Sequence, residues 1–432
     1  MKQLPWKLLT APTVTALCLG ATTTLYAEDH ATDARLRALE HELGMLRSEL
    51  ASEKAANVQQ STYRATDFVA GEMAPLPPLD PIDDDAIFVQ PKQSAVTELK
   101  LRGRMHYQFG YASADDYSDF NTQEFRRVRL GIDGKLLDNW KFHLNGNILP
   151  SSGSTNLEDA YIQYNGLDWT TISFEKLRPR FGAELSTSSS KIKTVERSNL
   201  SNHFDPGKIT GVSLAGDTGI LDWQVGAYNG EAGDQRSSER TASGNEGVPE
   251  SLINASIGLD LSEQVGLDKF AFRLDYINNN DDDGIDQNFS SPEEAWAASL
   301  SLNSGRFSLL AEYVQADLHN GGDVSGFYVI PSFMITDKLE AAFRYEWMEG
   351  DDGATFRHQS RYARRAVADD PGLPSLGSVR GEEYWAVYGG LNYYVNKSLH
   401  LMFGVEYADL DDTNTGDSVS AVTGFGAVRL EF

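Results

Sequence analysis

From residue 97 onward, apolar and polar side chains alternate with period two, in runs of about ten residues. In the first run Leu99, Leu101, Met105, Tyr107, Phe109 and Tyr111 fall on one face. Lys100, Arg102, Arg104, His106 and Gln108 fall on the other. Later runs repeat this: Val128, Leu130 and Ile132; Trp140, Phe142, Leu144 and Ile148; Phe270, Phe272, Leu274 and Tyr276; Leu399, Leu401, Phe403, Val405 and Tyr407. Their interleaved residues include Lys141, His143, Asn145, Arg273, Asp275, His400 and Glu406. Successive side chains of a strand point to opposite faces, so a period of two means strands with two unlike faces.

Sixteen such runs are present, at 97–111, 122–134, 140–149, 157–165, 169–176, 208–216, 220–229, 251–261, 269–277, 295–303, 306–316, 324–335, 338–348, 383–394, 398–408 and 421–432. Their connections alternate too. Short turns such as 137–139, 166–168, 217–219, 304–305, 336–337 and 395–397 lie between long polar loops at 112–121, 150–156, 177–207, 230–250, 278–294, 317–323, 349–382 and 409–420. An even strand number with short turns on one side and long loops on the other is the pattern of an outer-membrane barrel. A soluble sandwich also alternates, but its strands are shorter, about 5–6 residues. Its dry core also has no place for the mixed charges of the polar face. A water-filled lumen does, and closure satisfies every backbone group in lipid. The expected fold is therefore all-β, a transmembrane antiparallel β-barrel of about 16 strands, wide enough for an aqueous channel. Tyr, Phe and Trp near the run ends fit the interfacial girdles of such a barrel.

The residues ahead of the barrel read differently. Residues 1–27 form a secretory leader: Lys2 and Lys7, an apolar stretch from Leu8 to Ala21, then Leu25-Tyr26-Ala27 as a cleavage site. Its Cys18 is the one cysteine in the chain, which leaves the secreted part without disulfides or thiolate metal sites. Leu17 is too large for the small residue that usually precedes a lipidated cysteine. Residues 28–57 carry Leu36, Leu39, Leu43, Leu46 and Leu50, an a/d heptad seam flanked by charges of both signs. This predicts a short periplasmic coiled-coil helix, with Gly44 weakening it by about 1 kcal/mol. Residues 58–95 hold Pro75, Pro77, Pro78, Pro81 and Pro91 and the run Asp83-Asp84-Asp85, and read as an extended linker to the barrel at 96–432.

The chain carries 63 acidic and 37 basic residues, a net charge of -26, which argues against nucleic acid as a partner. Chemical motifs are few. Asn279, Asp281 and Asp283 begin a calcium loop, but Ser290 stands where its closing glutamate belongs. Ser188-Ser189-Ser190-Lys191 has a Ser-x-x-Lys spacing without the partner motifs of a serine acylase. No spacing of Ser, His and Asp suggests an enzyme, no cofactor motif is present, and the eight His show no metal-ligand pairing.

Several segments are similar to the phosphate-selective porin O and P family. Phe125-Arg126-Arg127-Val128-Arg129-Leu130-Gly131 resembles its FRRARLG strand, and Lys135-Leu136 and Trp140-Lys141-Phe142 follow as expected. Asp159-Ala160-Tyr161-Ile162 resembles its DAYI strand. Glu175-Lys176-Leu177-Arg178-Pro179-Arg180-Phe181-Gly182 looks like the entry to its inward loop, followed by Glu196-Arg197-Ser198 and Phe204-Asp205-Pro206-Gly207-Lys208. Tyr388-Gly389-Gly390-Leu391-Asn392-Tyr393-Tyr394 and Phe432 fit the C-terminal end, so the resemblance covers 99–432. It implies a homotrimeric 16-stranded porin in outer-membrane lipid and lipopolysaccharide. Its third loop would fold inward, and basic residues would line a path for small anions such as phosphate.

The candidates for that path are Lys100, Arg102, Arg104, Arg126, Arg127, Arg129, Lys176, Arg178, Arg180, Lys191, Lys193 and Arg197. Alternation aims Arg127 and Arg129 inward and puts Arg126 at the outward rim, unless a bulge re-aims it. Arg178 and Arg180 are extra basic residues relative to the family pattern. Residues 96–432 nonetheless hold 50 acidic against 29 basic side chains, and Asp133, Glu175, Glu346 and Glu406 also fall on the polar face. The other reading is structural: the barrel anchors a periplasmic tether formed by the coiled coil.

Overall fold

The computed structural model describes residues 96–148, 156–229, 251–280, 292–319, 322–358, 362–363, 373–413 and 416–432. The expected leader, coiled coil and linker lie outside the described residues, as do Asp281 and Asp283 of the calcium-like loop.

Sixteen strands close into one barrel, each hydrogen-bonded antiparallel to its sequence neighbours, with the first pairing with the last. They are β1 (Val96–Ser113), β2 (Phe120–Leu136), β3 (Trp140–Asn147), β4 (Asn156–Tyr164), β5 (Thr171–Leu177), β6 (Ile209–Asp217), β7 (Leu221–Asn229) and β8 (Ser251–Asp260). The second half comprises β9 (Lys269–Asn279), β10 (Pro292–Ser304), β11 (Phe307–Leu318), β12 (Asp323–Met334), β13 (Leu339–Gly350), β14 (Glu383–Tyr394), β15 (Leu399–Asp411) and β16 (Ser418–Glu431). Every run expected from the alternation is a strand, and the short and long connections fall on opposite rims. The turn between β8 and β9 holds one helical turn, Ser262–Val265.

The alternation separates two surfaces. Leu101, Phe109, Leu130, Leu144, Ile162, Phe174, Phe343 and Phe403 point outward and stay exposed. His106, Gln108, Asp275, Glu312, Arg344, Glu406 and Arg429 point inward and are buried. The outward face is what lipid requires, and the inward charges need water or one another. At the short-turn rim Trp140 packs on Tyr164, with ring centroids 5.0 Å apart. Trp385 packs on Tyr407 toward the other rim.

The register shifts at four places, and two of these bulges redirect a charge. Between the pairs His106–Arg127 and Tyr107–Phe125, β2 holds one extra residue, Arg126. Between Asn145–Asp159 and Gly146–Leu157, β4 holds the extra residue Glu158. An extra residue bends the strand and re-aims its side chain. Both charges thereby join the inner face: Arg126 lies near Glu196, and Glu158 bonds Arg129 and Lys208.

The wall is uneven in height. Strands β3 to β7 have 7–9 residues, whereas β10 to β16 have 12–14 and β1 and β2 have 18 and 17.

Candidate functional site

The inner face of β1 and β2 is a basic wall. Lys100 lies 4.0 Å from Glu98, and Arg102 pairs with Asp133, which also meets His143. The Arg104 guanidinium donates to the hydroxyls of Ser188 and Ser189, each at 3.0 Å, and its Nε lies 3.2 Å from Glu431. Arg129 donates to Glu158 at 2.7 Å. Lys208, just before β6, reaches Glu158 at 2.9 Å and Asp159 at 2.6 Å. Arg127 stands across from His106 in the register and makes no ion pair among the described residues. Arg126, redirected by its bulge, has its Nε 3.8 Å from the Glu196 carboxylate.

The opposite half of the inner face binds the segment 178–208, which joins β5 to β6. It carries two short helices, α1 (Ala183–Ser186) and α2 (Asn199–His203). The contacts run mainly through its backbone. The Gly182 N–H donates to Asp275 of β9 at 2.9 Å, and the Ala183 N–H donates to Glu312 of β11. The Glu184 N–H donates to the Tyr328 hydroxyl of β12 at 3.1 Å. The Asn199 N–H donates to Glu346 of β13 at 2.6 Å. Segment carbonyls are taken by wall side chains in turn. Arg344 donates to Glu196 O at 2.8 Å, Asn392 to Lys193 O at 2.8 Å, Arg429 to Val195 O at 2.8 Å, and Asn254 to Arg180 O at 3.2 Å. Gly182 makes the first turn possible: its φ is 72°, and a Cβ there would sit 3.0 Å from Glu312.

Side chains hold the segment to itself. Arg178 and Asp205, at its two roots, form a two-pronged pair with both N–O distances at 2.6 Å. Burial works against the Asp205 carboxylate, yet Arg178 holds it below the usual carboxylate range. Arg197 donates to Glu184 O at 3.0 Å and Thr187 O at 2.7 Å, and burial pulls it down to about 10. Ser198 caps α2 by accepting from the Ser201 N–H, while Glu184 accepts from the Ser198 N–H and both hydroxyls. Burial pushes His203 down to about 4, so it packs as a neutral ring against Phe356. Asn199 Nδ2 donates to Arg357 O at 3.0 Å, which ties 178–208 to the connection before β14. In that connection Tyr362 lies over inward-facing Gly110, where a Cβ would meet its ring at 2.2 Å.

The twelve residues singled out from the sequence therefore fall into four groups. Lys100, Arg102, Arg104, Arg126, Arg127 and Arg129 share the β1–β2 inner face. Arg178, Arg180, Lys193 and Arg197 are held by partners of the segment or the wall, Arg180 with Asp222 and Lys193 with Glu340. Lys191 is exposed on the segment. Lys176 needs correction. Lying between inward Glu175 and buried Leu177, and two residues on from outward Phe174, it takes the outward parity and pairs with Ala160 and Thr210 on the outer face. The inward acids Asp133, Glu175, Glu346 and Glu406 are where alternation puts them. Lys208, Arg344 and Arg429 were not among the twelve, although Arg344 and Arg429 occupy polar positions of their runs, a signal the alternation already carried.

A closed 16-stranded barrel, apolar outside and charged inside, is an outer-membrane porin. The chain belongs to one family of these: residues 99–432 match the family model of phosphate-selective porin O and P. It is 29% identical to Porin O of Pseudomonas aeruginosa over 107 residues, spanning 23% of this chain and 24% of that protein, about a quarter of the relative's length. Among solved structures it is similar to a loop-deletion mutant of OmpT, an outer membrane protein of Vibrio cholerae. There the identity is 14% and the TM-score 0.51, over 78% of this chain and 100% of that one. It is also similar to OprB of Pseudomonas putida, at 13% identity and a TM-score of 0.51 over 77% and 94%. OmpF of Salmonella typhi, in complex with daunomycin, gives 11% and 0.51 over 80% and 100%. At these identities the likeness shows the fold.

Proposed function

We propose that this porin is a passive, anion-preferring diffusion channel, with phosphate among its solutes, and that segment 178–208 narrows it. One observation carries the reading: the inward charges of the two halves have different fates. On β9 to β15, Asp275, Glu312, Glu340, Glu346 and Glu406 are each at most 3% exposed. They are spent on segment N–H groups, on Lys193, or on Arg344. On β1 and β2 the arginines keep partial access to the interior, and among the described residues no carboxylate lies within ion-pair distance of Arg127. An overall acidic chain can thus present a basic path, because much of its inward acid is covered. Fixed cations lining a narrow aqueous path attract anions and replace part of their hydration.

Assembly as a homotrimer in lipopolysaccharide-bearing outer membrane is part of this reading, and the low wall supports it. At ~3.3 Å per residue and a tilt of ~40°, a 7–9-residue strand spans roughly 18–23 Å, less than the ~25 Å apolar band of such barrels. The outward Lys176 lies on this sector, where a charge facing lipid would cost about 2–4 kcal/mol at mid-depth. A second copy against this sector would cover both. Chain entry into β1 at the short-turn rim supports a periplasmic coiled coil as part of this reading.

Planar-bilayer reversal potentials with chloride, phosphate and a cation series test the reading. The expected result is permeability favouring anions. Refolded protein that forms no channels overturns the pore, and equal permeability overturns its anion preference.

A further inference from the structure

Segment 178–208 contains three acidic residues, Glu184, Glu196 and Asp205. Two are consumed within it. Glu184 is buried against Ser198 and Ser201, and Asp205 grips Arg178. Glu196 is different. Its carbonyl is fixed to the far wall by Arg344 at 2.8 Å and accepts from the Thr194 hydroxyl at 2.7 Å. Its side chain extends the other way, toward the basic wall, where its carboxylate lies 3.8 Å from Arg126 Nε. That separation is an ion pair beyond hydrogen-bond reach. The contact needs two local departures from regular structure, the bulge that turns Arg126 inward and the anchored carbonyl that aims Glu196 across. The Glu196 charge also reaches Arg127, the chain neighbour of Arg126, and Arg429.

We infer that Glu196 is a built-in counter-ion of the arginine wall and sets how tightly a passing anion is held there. This rests on the reading of the basic wall as an anion path. A small oxyanion reaching Arg126 and Arg127 takes over the interaction Glu196 makes with them. The displaced carboxylate then repels the anion onward. Conduction needs such a balance, since a site that binds strongly enough to attract must also release. Without Glu196, two adjacent arginines would hold a dianion longer and slow its passage. A monovalent ion meets one unit of repulsion and a dianion two, so Glu196 acts on the preference between them.

The test is E196Q, which keeps the backbone carbonyl that Arg344 holds and removes the charge. The probes are inorganic phosphate and chloride in planar bilayers, with E196D as the conservative rescue. A unit charge at ~6 Å in an effective dielectric of ~40 alters monovalent anion binding by roughly tenfold. In E196Q, half-saturation should fall by about that factor for chloride and by roughly a hundredfold for phosphate carried as the dianion. The saturating phosphate current should fall as well, chloride should be affected less, and E196D should behave like the parent. A parent channel that prefers anions, with E196Q unchanged in half-saturation and saturating current, overturns the inference while leaving the anion path intact. A parent channel without anion preference overturns both.

Discussion

The anchoring of segment 178–208 begins at Gly182, and Gly182→Ala should loosen it in a measurable way. The residue has φ 72° and ψ 142°, a region used almost only by glycine. Forcing alanine into it costs about 1–3 kcal/mol. The new Cβ would also approach Glu312 to 3.0 Å, tighter than ordinary contact, and Glu312 holds the next N–H. Two N–H bonds to carboxylates secure this end, through Gly182 and Ala183, each worth about 1.5–3 kcal/mol net. Strain of this size does not unfold the barrel. It shifts the near end of the segment toward release by roughly 5–150-fold, while Asn199, Lys193 and the arginine contacts keep the far end docked. Single-channel recording should show a higher mean conductance, larger open-channel noise and a higher solute exclusion limit. The barrel itself should keep its heat-modifiable mobility on gels. Parental conductance, noise and exclusion limit in folded Gly182→Ala would refute both the role of these two bonds and the placing of the constriction on this segment.

Other expected outcomes follow from the same geometry. Leu130→Arg should cost about 2–4 kcal/mol of barrel stability in lipid, and Arg129→Ala should leave folding nearly unchanged while lowering anion conductance; equal effects would contradict the face assignment. Because Arg178 holds the folded Asp205 below its unfolded range of about 3.9, the stapling energy is present above that range and lost as pH falls through the lower folded value. Channel noise should therefore stay flat from pH 8 to about 5 in the parent, and Asp205→Asn should raise it at every pH. Lys176→Ala should leave reversal potentials unchanged, since the side chain is outside the barrel, and alter the stability of the assembled form on cross-linking gels.

Much of the fold is legible because a barrel strand repeats one constraint along its length: lipid on one side, water or charge on the other. Leu99 to Tyr111 announces β1 without reference to any distant residue. Lys176 shows the same rule at work. Alternation from Phe174 and Glu175 already gives it the outward parity, and a motif resemblance alone suggested the pore. Arg126 and Glu158 are another matter. A bulge exists only between two strands, so its place depends on the register of β1 with β2 and of β3 with β4, which a single run does not record. The covering of Glu312 and Glu346 was hidden for a related reason. Their partners are backbone N–H groups more than a hundred residues away, which every residue except proline possesses and no composition reveals.

That the segment is fastened through its main chain separates two things usually tied together. Its course is set by peptide groups and a few wall side chains, while a side chain such as Glu196 reaches across the path, away from the wall that holds its own carbonyl. Such positions can change identity without moving the loop. Solute preference can then drift by single substitutions on a path that stays where it is, and a designer could exchange these residues as one exchanges inserts in a fixed mount.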